Sequence, residues 1–465
     1  MNKEFLETYK DIPDAAFDSI KMAEANSVLV IYEGEYFLKN ETKEISLNGK
    51  ITYEWLANSG VYFYGNLVTD FDSGELCSAI NDNSTYFVLV NGLEFGQGSI
   101  TKLESSNSTQ NKIKGAISQC AILGNKNVSV EKIKFSIPNL RDFYGLPVKR
   151  VTETKTNIRL SRDRLVFEDE TYKIFIEKCS DFKKRKENLE EKGGYVILYN
   201  GELTAKKGIL NHADTRDVFH CFSTFLTFLN GRRTSAFFIQ GISGEEVIWT
   251  DYTNYFVDTF KVVHTWPQTN STTNLEEIWR NFRAVWGKNP ENKLFFKSLI
   301  HWYVEANSQA GFLEGAIILA QTALKLAYNW WIVEDKKMIL GKDSANISAS
   351  NKIRLLISQL SISSSIPAEF TELEKFRRAT DNVDDSPDSI VSIRNAIVHS
   401  QEAKRAKLSA IHHKAKYEAL QVYIWYIELT LLCILEYNSK YFNRCLKKGY
   451  ATDSEEQVPW KKCEH

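Results

Sequence analysis

The chain lacks the short signatures by which phosphate, metal and acyl chemistry are recognised locally. There is no G-x-x-x-x-G-K-[ST], no G-x-G-x-x-G after a strand, no H-E-x-x-H and no G-x-S-x-G, and "GKDS" at Gly341 has no upstream P-loop glycine. These absences set aside nucleotide-binding loops, zinc peptidases and serine hydrolases. The seven cysteines (Cys77, Cys120, Cys179, Cys221, Cys433, Cys445, Cys463) are odd in number and form no C-x-x-C pair, so neither a disulfide framework nor a cysteine zinc site is indicated. They read as reduced, mostly buried thiols. An excess of either charge is missing too: the formal net charge is -1, so any contact with nucleic acid must come from a local patch. The N-terminal "MNKEFLETYKDIPDAAFDSI" has no apolar core or small-residue cleavage site, and no later stretch supplies roughly 18 uninterrupted apolar residues. The expected place is the cytoplasm, with no membrane partner.

What is present is an ordinary globular composition over 465 residues, 43% hydrophobic and 25% charged, enough for two or three domains with real cores. From about residue 26 to 210 the apolar residues fall in short, mostly period-2 runs such as "NSVLVIYEGEYFL", "STYFVLVNG" and "GGYVILYN". They are rich in Tyr, Phe, Val and Ile and are separated by Asn-Gly or Ser-Gly steps, which are strand and turn signals. "RDVFHCFSTFLTFLNGRR" then predicts an amphipathic helix stopped by Gly231, followed by a strand "TSAFFIQG".

After "TWPQTNSTTN" the spacing changes to threes and fours over long segments, among them "LEEIWRNFRAVWG", "ENKLFFKSLIHWYVEAN", "GFLEGAIILAQTALKLAYNWWIVEDKK" and "KYEALQVYIWYIELTLLCILEYN". The sequence therefore predicts an α+β protein: a β-rich N-terminal domain over 1–267, a helical domain over 268–450 and a tail over 451–465. The polar stretch from Ser105 to Gln110 and the tail are expected to be loosely structured.

Most histidines suggest no chemistry. His220 and Cys221 are neighbours in a predicted helix and point about 100° apart, so a buried structural role is expected. His301, in "LIHWYV", is expected in or near the core, and the adjacent His412 and His413 cannot both face one metal from a helix.

The stretch "SIVSIRNAIVHS", residues 389 to 400, is different. At 100° per residue Ile390, Ile393 and Ile397 form one stripe and Val391 and Val398 another, and Arg394 falls between them. A guanidinium at a packed seam needs a partner or must reach solvent along its stem. Asn395 and His399 share a more polar face with Ser392. One turn thus offers a permanent cation, an amide and an imidazole, the side chain whose ordinary titration lies nearest neutrality. Such a set can cleave RNA without metal: the imidazole takes the 2′-hydroxyl proton or protonates the leaving 5′-oxygen, while the guanidinium holds charge on the phosphorane. One histidine cannot conveniently do both jobs, which favours a two-fold dimer. The plainer alternative is an arginine that caps or salt-bridges and a histidine that complements a helix end.

"RNAIVH" resembles the R-x(4 to 6)-H signature of HEPN ribonuclease domains, including the polar residue directly after the arginine. With the long helix after it, and with "FLTFLNGRRTSAFFIQG" and "FSIPNLRDFYG" upstream, the chain resembles the ApeA group of anti-phage proteins, in which a β-rich domain precedes a HEPN helical bundle. Many members of that group carry a glutamate where "TALKLAY" has Lys325, so Glu314 stands as the candidate acidic partner of Arg394.

The resemblance implies catalysis by Arg394 and His399, with Asn395 positioning. It implies an endoribonuclease that leaves 2′,3′-cyclic phosphate and 5′-hydroxyl ends on host RNA, tRNA foremost, in abortive infection. It further implies no cofactor, a homodimer or higher oligomer through the HEPN domain, and a phage-derived trigger at the N-terminal domain. The run "AKRAKLSAIHHKAK" places Lys404, Arg405, Lys407, Lys414 and Lys416 where phosphates would approach. Two rival readings remain open: a catalytically silent dimerisation or RNA-binding module, and a ligand-binding or lectin-like β half.

Overall fold

The computed structural model of the chain describes residues 9–16, 20, 22, 24–68, 84–105, 111–118, 120–151, 158–268, 275–399, 402–446 and 454–461. Cys77, Cys463, the 106–110 part of the polar stretch, and residues 451–453 and 462–465 of the tail lie outside them. Two compact units are present: one of 1–141, 145–223 and 234–260, the other of 142–144, 224–233 and 261–465.

The first unit begins with a closed six-stranded barrel. Its strands are β1 (Leu29–Lys39), β2 (Glu44–Glu54), β3 (Gly60–Leu67), β4 (Thr85–Val90), β5 (Leu93–Ser105) and β6 (Asn111–Ile117), in the order β1-β2-β3-β6-β5-β4. Period-2 alternation fills the interior with Ile45, Leu47, Ile51, Tyr53, Val61, Phe63, Tyr86 and Val88, all buried. Phe63 lies opposite Gly115 across β3 and β6, and a Cβ on Gly115 would fall 1.9 Å from that ring. Only glycine leaves room there.

A second, wholly antiparallel sheet follows, built from β7 (Ile122–Gly124), β8 (Lys132–Pro138), β9 (Leu146–Val151), β10 (Ile158–Glu168), β11 (Tyr172–Lys178), β12 (Ile197–Ala205), β13 (Phe237–Ser243) and β14 (Glu246–Asp251). Its order is β7-β14-β13-β8-β12-β11-β10-β9. Helix α1 (Phe182–Lys192) interrupts the strands, and α2 (His212–Asn230) sets Phe219 and Phe222 edge-on against Phe135 of β8. Gly231, at φ +66°, stops α2 as expected.

The mainly β reading of residues 26–210 misses α1. Its "FKKRKENLEEK" buries only Arg185 and Leu189, so it carries no apolar stripe; lysine and glutamate propensity and the i,i+4 pairs Lys183–Glu187 and Lys186–Glu190 hold it.

The second unit is helical, with a small hairpin. Its helices are α3 (Leu275–Lys288), α4 (Pro290–Asn307), α5 (Phe312–Tyr328), α6 (Gly341–Ser344), α7 (Ala349–Ser358), α8 (Thr371–Arg378), α9 (Ser386–Val398), α10 (Glu402–Ala410) and α11 (His413–Ile434), and its strands are β15 (Lys440–Phe442) and β16 (Glu455–Gln457). A mixed fold of β-rich first half and helical second half is therefore observed. Helix α5 runs on into a π-helical turn, Asn329–Asp335. Among the described residues this continuous segment, Phe312–Asp335, is the one long and apolar enough to cross a membrane, and 56% of its apolar window is buried inside the fold, as for a core helix. The tail expected to be loose pairs instead: β16 is antiparallel to β15.

Beneath the hairpin lies a fully buried ion pair. Arg444 Nε donates to Glu428 Oε2 at 2.9 Å, and Tyr303 donates its hydroxyl to Glu428 Oε1 at 2.8 Å. Burial drives the Tyr303 phenol upward, and the Glu428 charge adds to the shift.

Two histidines differ from expectation. His220 and His301 are both exposed, because the buried positions of their helices are Val218, Cys221 and Phe222 in α2 and Ile300, Tyr303 and Val304 in α4. His301 Nδ1 lies 2.9 Å from Arg233 Nη2. Of the thiols, Cys179, Cys221 and Cys445 are buried, Cys433 is half-buried and Cys120 is exposed.

Candidate functional site

Helix α9 is fixed at its start. Asp385 caps it, accepting from the Asp388 N–H at 3.0 Å; Pro387 sits in the first turn, and Arg354 of α7 donates to Asp385 through Nε at 2.7 Å. Burial pushes the Asp385 carboxyl up, but the hydrogen bond from Arg354, the Asp388 N–H and the arginine charge outweigh it and hold the pKa below the ordinary value. Along the helix Ser389, Ile390, Ile393 and Ala396 are buried. The second apolar stripe is incomplete, since Val391 is buried but Val398 is 41% exposed.

The helix ends on the motif. His399 is the C-terminal cap, extended at φ -88° and ψ 107°, with its N–H donating to the Asn395 carbonyl at 3.1 Å and its side chain exposed. Arg394, one turn back, is half-buried. Its Nη1 donates to Asn395 Oδ1 at 3.2 Å, and its Nε is enclosed without a hydrogen-bond partner. Among the described residues no carboxylate pairs with it. Its charge is felt at Tyr423 of α11, where burial pushes the phenol well above its usual pKa and the Arg394 charge opposes that shift.

Glu314 is not its acid. That carboxylate accepts from Lys416 Nζ at 3.0 Å. Burial raises the Glu314 pKa, while the Lys416 hydrogen bond and charge bring it below the ordinary value. Lys416 is thereby neutralised and only 13% exposed at its side chain, which removes it from a phosphate-facing role.

The other basic candidates divide. Lys407 folds back from α10 onto the polar side of α9, donating to Ser392 Oγ at 3.1 Å. Lys414 is 44% exposed at its side chain and 3.9 Å from Glu418 Oε1, a loose pair that leaves it facing water. The side chains of Lys404 and Arg405 lie outside the described residues. His412 is the N-cap of α11, accepting from the Lys414 N–H at 3.3 Å. No group of three or more His, Cys, Asp or Glu side chains suited to a metal ion occurs among the described residues.

Local pattern missed what surrounds Arg394. A cavity of about 220 Å³ opens beside α9, walled by Arg394 and Asn395, by Gln321, Lys325 and Tyr328 of α5, and by Lys352 of α7. It contains three cations and no carboxylate. The Lys352 ammonium lies 5.6 Å from the Tyr328 ring centroid. The three helices that supply these side chains are distant in sequence, so no motif spans them; the lysine within "TALKLAY" was the only local sign.

The chain was compared with known proteins. Residues 125–263 match the family model described as the YopA central domain, and residues 289–455 match that of the YopA C-terminal domain. Over 446 residues the chain is 27% identical to the SPbeta prophage-derived uncharacterized protein YopA of Bacillus subtilis (strain 168), a match spanning 94% of this chain and 96% of that protein. No solved structure matches the chain.

Proposed function

We propose that the helical unit is a HEPN-type endoribonuclease that cleaves RNA without a metal ion, and that the β-rich unit senses the trigger that releases it. The observation that carries this reading is Arg394: a half-buried guanidinium with an amide beside it, no carboxylate paired to it among the described residues, and an exposed imidazole one turn on. An arginine kept for stability would have an acid; one kept for catalysis is left free for charge that arrives with the substrate.

The reaction asks little else of the protein. An imidazole removes the 2′-hydroxyl proton, the 2′-oxygen bonds to phosphorus, the P–O5′ bond breaks, and the departing 5′-oxygen takes a proton from an imidazolium. Arg394 holds the equatorial phosphorane oxygens, and Asn395 keeps that guanidinium oriented. A second copy of the chain supplies the second imidazole; Val398, apolar and exposed beside His399, suits a self-complementary contact there. Lys407 and Lys414 lie near the motif in sequence and suit phosphate contacts.

The matched family models carry the YopA description, so the likeness to ApeA rests on the motif, its helix and the order of the two units. The prophage origin of the relative fits a role in defence, because a resident phage gains when its host arrests growth under attack by another. The proposed substrate is host RNA, tRNA foremost, in abortive infection, in the cytoplasm. Sequencing RNA 3′ ends from cells that express wild type or His399→Ala tests this reading. Cleavage ends confined to wild type support it; identical profiles point to a silent dimerisation or RNA-binding module.

A further inference from the structure

We propose that the cavity beside Arg394 is a phosphate–ribose subsite for the RNA nucleotide next to the cleaved bond. The inference rests on the ribonuclease reading and goes beyond the motif, because two of its cations stand on other helices.

Lys325 comes from the last turn of α5 and Lys352 from the first turns of α7, and both line the same cavity as Arg394. Like charges gathered around one open cavity repel one another, and no carboxylate lines it. The neighbouring groove at α8 shows the opposite arrangement. It is lined by Glu374, Arg377, Arg378 and Asp385 among others, and there Glu374 pairs with both Arg377 and Arg378. The two arginines beside Glu374 hold its carboxyl down at about 2. The α8 groove is electrically complete, whereas the Arg394 cavity lacks its anion.

Shape and polarity narrow the choice of anion. Ala349, the first residue of α7, also lines the cavity, so the positive end of that helix adds to the field. Leu324, Ile353 and Val391 supply an apolar wall suited to the carbon face of a sugar. At about 220 Å³ the space is smaller than the roughly 300 Å³ at which pockets for whole drug-sized ligands begin. It suits a phosphate with its ribose, not a complete nucleotide. Asn395 and Val391 lie one and two turns before His399 on the same helix, so a phosphate held by Lys325 and Lys352 belongs to the neighbouring nucleotide, while Arg394, at the edge shared with the motif, serves the bond being cut.

The test uses the full chain and a fluorescein-labelled RNA decamer with 2′-O-methyl sugars, which cannot be cleaved by this chemistry. Anisotropy titrations across a salt series compare wild type with Lys325→Gln and Lys352→Gln, each checked for fold by circular dichroism. The expected result is a five- to tenfold weaker Kd for each variant, with the salt slope falling by about one phosphate contact, and competition by ribose 5-phosphate on wild type. Lys352→Arg should restore binding, as a purely structural lysine would not require. Unchanged RNA affinity and salt slope in both glutamine variants would overturn the proposal. Competition by inorganic phosphate combined with unchanged RNA binding would also overturn it, and would assign the cavity to a free phosphate. Lysine-dependent RNA binding by a wild type that cuts no RNA would support the subsite and count against the ribonuclease reading, so the two ideas fail separately.

Discussion

Arg394 donates from Nη1 to the Oδ1 of its own neighbour, Asn395, at 3.2 Å. An amide carries no charge, so this bond orients the guanidinium without neutralising it. A half-buried cation without a counter-ion is held at a cost in stability. Replacing it with methionine should therefore leave the melting temperature equal to or above wild type while RNA cleavage falls by about 100-fold or more. Thermal melts and a gel-based cleavage assay on the same preparation check both halves. A large fall in melting temperature would mark Arg394 as a structural residue.

His399 caps α9 with its backbone, and its side chain faces solvent. His399→Ala should shift stability by no more than about 0.5 kcal/mol, the usual range for exposed positions. Loss of a proton-transfer group should cost about 10²- to 10⁴-fold in rate. Urea denaturation together with single-turnover cleavage measures the two effects.

Asp385 links the motif helix to α7 and is the titratable group that matters most to its placement. Its folded pKa is depressed, so its contribution is fully present above the unfolded value near 3.9 and is lost as pH falls through the folded value. At neutral pH Asp385→Ala should destabilise the protein by about 1–2 kcal/mol through the lost cap. The stability gap between wild type and Asp385→Asn should narrow as the pH is lowered through 4. Chemical denaturation from pH 7 to pH 3 follows that gap, and a constant difference would contradict the linkage.

The Glu428–Arg444 pair predicts a different response. Glu428→Ala strands a buried guanidinium and should cost about 3–5 kcal/mol, enough to unfold a marginal domain, whereas removing both charges with Glu428→Leu and Arg444→Met should cost far less. Guanidinium titrations of the single and double variants decide this. Equal losses would show that packing, not stranded charge, governs the site.

The two halves of the fold were legible because their periods differ. Alternation in β2, with Ile45, Leu47, Ile51 and Tyr53 inward, is written in the sequence, as is the three-and-four spacing of α4. Helix α1 was not legible, because it has almost no apolar stripe, and neither was β16, whose three residues owe their conformation to pairing with β15. At the candidate site the sequence places Arg394, Asn395 and His399 together but leaves the partner of Arg394 open, with Glu314 as a candidate. Glu314 meets Lys416, a contact between α5 and α11 that no local pattern records. The cavity cations escaped for the same reason: Lys325 and Lys352 reach Arg394 only after α5, α7 and α9 have packed.

The ends left on cut RNA report the chemistry proposed for Arg394 and His399. Purified full-length protein would be incubated with total tRNA in EDTA and the termini of the products mapped, in parallel with Arg394→Ala and His399→Ala. Wild type should leave 2′,3′-cyclic phosphate and 5′-hydroxyl ends, and neither variant should leave any. Fragments with 3′-hydroxyl ends, or equal cleavage by a folded His399→Ala protein, would contradict that chemistry.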